Sequence, residues 1–290
     1  MAFCGTRKIW LSALVLVVRR VESKGCNHEM ILTVVGVTGS MSGPASPASC
    51  YLLQAEGTDS LGLPHTYSVV FDLGPGSFGQ IWNYTDPTKL DAVVLSHLHA
   101  DHCSDIVSMQ VHRRWHPRGE LGPIPVYAPK GVKDRVRGLD GFSPRDDFSS
   151  EFEFHHIKQG REFNVGPLQI KPFAAWHSVP AFSFRVTGPG KNGQAVFTYS
   201  GDSDECDTLV QAATNSDLFL SECGFTREDE IRGIHMSGDR AGRVAQNSGT
   251  SKLVLTHIQP WTDPEVPLKE VKTTWRGELE IARSGMCFEL

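Results

Sequence analysis

Apolar positions along this chain fall in short runs, each closed by Gly, Pro, Asp or His. They are ILTVVGV, YLLQ, YSVVFDLG, DAVVLSH, IPVYAP, LQIKPFAAWH, AFSFRV, AVFTYSGD, DLFLSE, KLVLTH and MCFEL. Runs of this length, rich in Val, Ile, Phe and Tyr, predict strands buried on one or both faces. Three stretches follow helical spacing instead: 101–116 with Ile106, Met109 and Val111, 204–214 with Leu209, Val210 and Ala213, and 237–248 with Ala241, Val244 and Ala245. The first half is strand-rich, regular helices come later, and no repeat or low-complexity tract intervenes. This order predicts one α/β domain over residues 30–290.

Residues 1–29 stand apart. RKIWLSALVLVVRR has a basic start and a ten-residue apolar run, 9–18, but Arg19 and Arg20 follow it and no A-x-A-like cleavage site appears. Ten residues are too few to span a bilayer. This segment is read as a leader, or as the product of a start codon placed too far upstream, outside the fold. Composition narrows the rest. Of the 290 residues, 40% are hydrophobic and 21% charged, the balance of a soluble globular protein. A net charge of −5 gives no broad attraction to nucleic acid, so no stable nucleic-acid partner and no membrane are expected. Seven cysteines without a C-x-x-C pair suit a reducing cytoplasm.

The strand ends carry the candidate chemistry. VVLSHLHADH ends in His97, His99, Asp101 and His102, FAAWH in His177, FTYSGD in Asp202 and LVLTH in His257. Strand ends fixed by core packing can present groups from distant segments to one point. Imidazoles and carboxylates are the usual ligands of zinc, and they also bind manganese or iron. His97 and His99, two apart in an extended tail, point the same way and can grip one ion. Asp101 and His102 follow the start of a turn and can reach a second, and the two oxygens of Asp202 can bridge the pair. His28, His65, His112, His116, His155 and His156 are read as ordinary surface or core histidines.

The H-x-H-x-D-H pattern of His97–His102, followed by a later His, a Gly-Asp and a Thr-His, resembles the metallo-β-lactamase-fold hydrolases. The resemblance spans roughly residues 30–290. It implies a four-layer αββα sandwich with His97, His99 and His177 on one metal, Asp101, His102 and His257 on a second, and Asp202 bridging. Only 33 residues follow His257, too few for the C-terminal helical domain of glyoxalase II-like thioesterases. Asp202 stands where β-lactamases proper carry Cys. The segment IHMSGDRAGRVAQNSGTSKLVLTHIQPW and the strand LFLSEC resemble the ribonuclease Z-like branch. The 24 residues between His177 and Asp202, however, leave no room for the tRNA-binding arm or for an inserted nuclease domain. SGPASPASCYLL, SHLHADHCSD, HRRWHP, YSGD…CDTLV and LTHIQPWTD look like the actinobacterial cyclic-nucleotide phosphodiesterases of that branch.

That resemblance implies hydrolysis of 3′,5′-cyclic AMP to 5′-AMP by a hydroxide bridging two divalent ions, zinc first among them. Asp101 would align the hydroxide. His235 would protonate the leaving oxygen, with Glu222 orienting its other nitrogen. Weaker expectations attach to Asp72, as a group orienting a ligand histidine, to Arg113 and Arg114, as phosphate contacts or a solvated helix face, to the 42–49 loop as a pocket wall, and to Cys103 as a packed helix residue. A homodimer fits relatives of this kind. Rival readings are an armless RNA-processing endonuclease, a lactone or small-ester hydrolase, and a metal-binding sensory module. The last usually lacks one or more ligands, and none is missing here.

Overall fold

The computed structural model describes residues 29–290 apart from 142 and 144. The expected leader therefore lies outside the described residues, save for its last residue. The chain first builds β1 (Ile31–Gly36), β2 (Cys50–Thr58), β3 (Pro64–Phe71), β4 (Ala92–Val94), β5 (Ile124–Ala128) and β6 (Phe152–His156). It then builds β7 (Phe163–Val165), β8 (Leu168–Ala174), β9 (Phe182–Gly190), β10 (Gly193–Tyr199), β11 (Leu218–Glu222), β12 (Lys252–Thr256) and β13 (Glu278–Ile281). A last strand, β14 (Cys287–Glu289), returns to pair with β1. Among the described residues there are two seven-stranded sheets, ordered β14-β1-β2-β3-β4-β5-β6 and β13-β12-β11-β10-β9-β8-β7.

Both sheets follow one plan. Strands β1 to β3, and β7 to β10, run antiparallel. From β3 to β6, and from β10 to β13, neighbours run parallel. Parallel neighbours need crossover connections, and these supply the helices. They are α1 (Ser77–Ile81), α2 (Ala100–Cys103), α3 (Ile106–Arg114) and α4 (Val132–Asp140) on the first sheet, then α5 (Asp207–Ala213), α6 (Gly238–Ser248) and α7 (Glu265–Val271) on the second.

Side-chain alternation sets the layers. In β3, Val69 and Phe71 face the other sheet, where Phe71 meets Phe184 and Phe197, while Val70 faces the helices with Val93, Ile106 and Met109. On the second sheet, Phe219, Leu253 and Leu255 pack under Leu209, Ala241, Val244 and Val271. The result is the four-layer αββα sandwich. Strands buried on both faces read as continuous apolar runs, which is why DLFLSE and KLVLTH were legible. The missed elements β6, β7, β13, α1, α4 and α7 are short or half-exposed, and their patterns are weak. The single helix expected over 101–116 is two helices, broken at Ser104 and Asp105, where the Asp105 carboxylate turns to accept from Phe78 N at 2.8 Å.

Candidate metal centre and active site

Every parallel strand that carries chemistry delivers it at its C-terminal end, where crossover loops leave the sheet. Asp72 follows β3, the His97–His102 segment follows β4, Asp202 follows β10, Glu222 closes β11 and His257 follows β12. His177 comes from the loop after antiparallel β8. The sharp exits use left-handed backbone, at Gly201 (φ 56°), Asp72 (φ 59°) and His257 (φ 57°). The two non-glycine residues bear strain of about 1–3 kcal/mol each. Hydrogen bonds hold them there: Asp72 N to Val94 O at 2.9 Å and His257 N to Val37 O at 2.9 Å.

Seven side chains converge. His99 Nδ1 lies 3.1 Å from both His97 Nε2 and His177 Nε2. Beside this trio, His102 Nε2 is 3.3 Å from Asp101 Oδ2 and 3.1 Å from Asp202 Oδ1, and His257 Nε2 is 3.3 Å from Asp202 Oδ2. Asp202 faces both groups, since its Oδ2 is also 3.7 Å from His97 Nε2. Ligands about 2.1 Å from a tetrahedral ion stand roughly 3.4 Å apart, so these spacings fit shared coordination. The buried atoms His102 Nε2, His257 Nε2 and Asp202 Oδ1 have no hydrogen-bond partner among the described residues. Orphaned buried polar atoms are costly, and a cation among them satisfies all three. The sets His97, His99, His177 and Asp101, His102, Asp202, His257 can each hold a metal ion.

A second ring of contacts fixes the imidazoles. Asp72, fully buried, accepts from His102 Nδ1 (2.7 Å), Ser96 N (2.7 Å), Ser96 Oγ (2.8 Å) and the Tyr199 hydroxyl (2.7 Å). His177 Nδ1 donates to Ile234 O at 2.8 Å, and His257 Nδ1 pairs with Ser49 Oγ at 3.1 Å. Each contact leaves Nε2 as the inward nitrogen. Burial holds His97 well below the ordinary imidazole range, aided by the His102 charge, and burial likewise lowers His257. Burial opposes charge on His102 and on Asp202 too. Asp202 and Asp72 outweigh it and raise His102, while His102 and His257 hold Asp202 well below the carboxylate range.

His235 stands against this cluster, its ring 5.3 Å from that of His257 and 5.5 Å from that of His177. Its Nδ1 is 3.1 Å from Glu222 Oε1. Glu222 is itself buried and accepts Ser203 N (3.1 Å) and Gly224 N (2.7 Å). Burial would lower His235, but the Glu222 carboxylate more than offsets it and the imidazole is pushed up to about 9. Sequence reasoning named this pair, and the fold brings it to the edge of the cluster.

Other expectations resolve differently. Arg113 is buried and donates to the Gly122 and Leu121 carbonyls (2.8 and 3.2 Å), and Arg114 pairs with buried Glu151 at 2.6 Å. Arg113 fits neither a phosphate contact nor a solvated face, and the charge of half-exposed Arg114 is engaged by Glu151, because α3 turns them toward the 121–122 turn and the start of β6. Cys103 packs in the core under the helices. From the 42–49 loop, Ser49 reaches the site. Ser49, Ser96 and Tyr199 were not singled out in the sequence, where a serine or tyrosine beside a strand end carries no distinguishing signal.

Residues 67–258 match the Beta-lactamase superfamily domain. The chain belongs to this superfamily. It is 38% identical over 264 residues to an uncharacterized protein of Mycobacterium tuberculosis, covering 89% of this chain and 92% of that one. It is 28% identical to the probable metallo-hydrolase YhfI of Bacillus subtilis, covering 90% of this chain and all of the relative, and the YhfI crystal structure superposes with a TM-score of 0.77. Ribonuclease Z of Myxococcus xanthus is 25% identical, over 78% of this chain and 89% of its own. The chain is a metal-dependent hydrolase of the metallo-β-lactamase fold. No described helix is long and apolar enough to cross a membrane.

Proposed function

We propose that this superfamily member is a dinuclear phosphodiesterase that opens 3′,5′-cyclic AMP to 5′-AMP. One observation carries the reading: a buried histidine–carboxylate pair, His235 and Glu222, set beside two ligand groups that Asp202 faces. His97, His99 and His177 would hold one ion and Asp101, His102 and His257 a second, with Asp202 placed to serve either. Zinc suits this donor set best, with manganese or iron as alternatives. Two divalent ions there supply Lewis acidity to the phosphoryl oxygens and make water nucleophilic near neutral pH. Asp101 orients the attacking water from the rim of the second ligand set. The 3′ oxygen leaves as an alkoxide and needs a proton, which a histidine fixed through Nδ1 can deliver from Nε2. Glu222 keeps that ring in place.

A cyclic nucleotide suits the chain better than tRNA because of its charge of −5 and the short 24-residue link between His177 and Asp202. The relative named ribonuclease Z supports phosphodiester chemistry and keeps an armless RNA-processing endonuclease as the second reading. Free cysteines among the described residues fit a cytoplasmic enzyme acting on a small substrate. The deciding assay is hydrolysis of cyclic AMP with Zn²⁺ or Mn²⁺, with a tRNA precursor and a lactone as comparators and His97→Ala as control. Formation of 5′-AMP that vanishes in the variant supports the proposal. Cleavage of the precursor or lactone alone overturns it.

A further inference from the structure

One side chain at the mouth of the site has no part in the chemistry above. Trp176 directly precedes His177, yet its side chain is 45% exposed. It is nevertheless fixed. Its backbone N–H donates to Ser203 Oγ at 3.0 Å, and its backbone carbonyl accepts Asp204 N at 2.8 Å, tying the His177 loop to the Asp202 loop. The Arg232 guanidinium lies over the indole, 5.4 Å from the ring centroid. Gly233 presses so close that a Cβ there would sit 2.6 Å from the indole Nε1, and its φ of +77° suits glycine.

Buried Asp204 organises this arrangement. It accepts Arg232 Nε at 2.6 Å, Gly233 N at 2.8 Å, Glu205 N at 2.7 Å and Arg240 Nη1 at 3.2 Å. Arg232 is therefore held through Nε while 48% of its side chain stays exposed. The segment continues through Ile234, whose carbonyl receives His177 Nδ1, to His235. His235 follows Arg232 by three positions, a reach of at most about 10–11 Å. A planar cationic–aromatic surface thus stands within a nucleotide's length of the proton donor.

We propose that Trp176 and Arg232 form a stacking shelf for the nucleobase of the substrate. The inference rests on the phosphodiesterase reading and deepens it: the substrate carries a planar heteroaromatic base. Bases stack on indole and guanidinium faces alike, and one such stack is worth on the order of tenfold in affinity. Trp176 contributes no proton and no ligand, so it acts on binding rather than on the chemical step.

The test uses the full-length, metal-loaded protein. Calorimetry compares 5′-AMP with ribose 5-phosphate, which lacks the base, in wild type, Trp176→Ala and Trp176→Phe. Turnover of bis(p-nitrophenyl) phosphate is followed in parallel. The expected result is about tenfold tighter binding of 5′-AMP in wild type, a preference erased in Trp176→Ala and largely kept in Trp176→Phe, with metal content unchanged. A wild-type preference near one, or a preference that survives Trp176→Ala, overturns the shelf even if the phosphodiester is cleaved. A tryptophan-dependent preference without any phosphodiester turnover supports the shelf and sinks the phosphodiesterase reading instead.

Discussion

His235 Nδ1 lies 3.1 Å from Glu222 Oε1, across the loop that leaves β11 at Glu222 and leads into α6. The carboxylate is anchored by three backbone N–H groups, so the ring it holds has one orientation and one free nitrogen. In its proposed role as proton donor to a poor leaving group, His235 would govern turnover in proportion to how much that group needs a proton. His235→Ala is expected to lower kcat on cyclic AMP by about 10²–10⁴-fold. Turnover of bis(p-nitrophenyl) phosphate, whose leaving group departs unaided, is expected to fall far less. Equal losses on both substrates would remove the proton-donor role.

Asp72 accepts four hydrogen bonds and orients His102 without touching the ligand cluster's interior. Outer partners of this kind set metal affinity by about 10–100-fold. Asp72→Ala is therefore expected to weaken binding of the second ion by that factor in a chelator competition, while the His97, His99, His177 group keeps its metal. Loss of both ions together, or of neither, contradicts the division into two groups.

Removal of metal exposes a different cost. The nitrogens of His102 and His257 and the Asp202 oxygen are buried, and among the described residues they have no hydrogen-bond partner. Metal binding to the folded state stabilises it by about 2.7 kcal/mol at a free concentration one hundred times Kd. Treatment with chelator should lower Tm, and readdition of Zn²⁺ should restore it. His97→Ala should reduce that metal-dependent gain.

Asp204 joins Arg232, Arg240 and two backbone N–H groups at one buried point. Removing the carboxylate leaves the buried Arg240 without its anion, at a cost of about 3 kcal/mol or more. Asp204→Ala is expected to lower the urea midpoint accordingly. Arg232→Ala, which deletes a half-exposed partner, should cost under about 1 kcal/mol. Similar losses in the two variants would place the anchor elsewhere.

Arg114 offers a contrast with the sequence-based expectation. Its guanidinium meets buried Glu151 at 2.6 Å, away from the ligands. Arg114→Met should destabilise the fold by roughly 3 kcal/mol through the stranded carboxylate and leave KM for cyclic AMP within about twofold. A large rise in KM would restore a phosphate-binding role.

What the chain determined by itself was local. Strands buried on both faces wrote continuous apolar runs, and the imidazoles and carboxylates sat at their ends, so an α/β domain with convergent residues was legible without coordinates, while the sandwich itself followed from the resemblance carried by His97–His102. The two-residue spacing of His97 and His99 also follows from backbone geometry alone. Partners that meet across the fold left no such trace. Ser49 and His257 are 208 positions apart, Tyr199 and Asp72 127, and Asp204 and Arg232 28, with no period or motif linking them. Arg113 and Arg114 look like surface cations in sequence, and only the packing of α3 shows that their charges are spent on carbonyls and on Glu151. Periodicity records which face a residue occupies, whereas the identity of what lies opposite depends on how two sheets close over one another, and that only the tertiary structure decides.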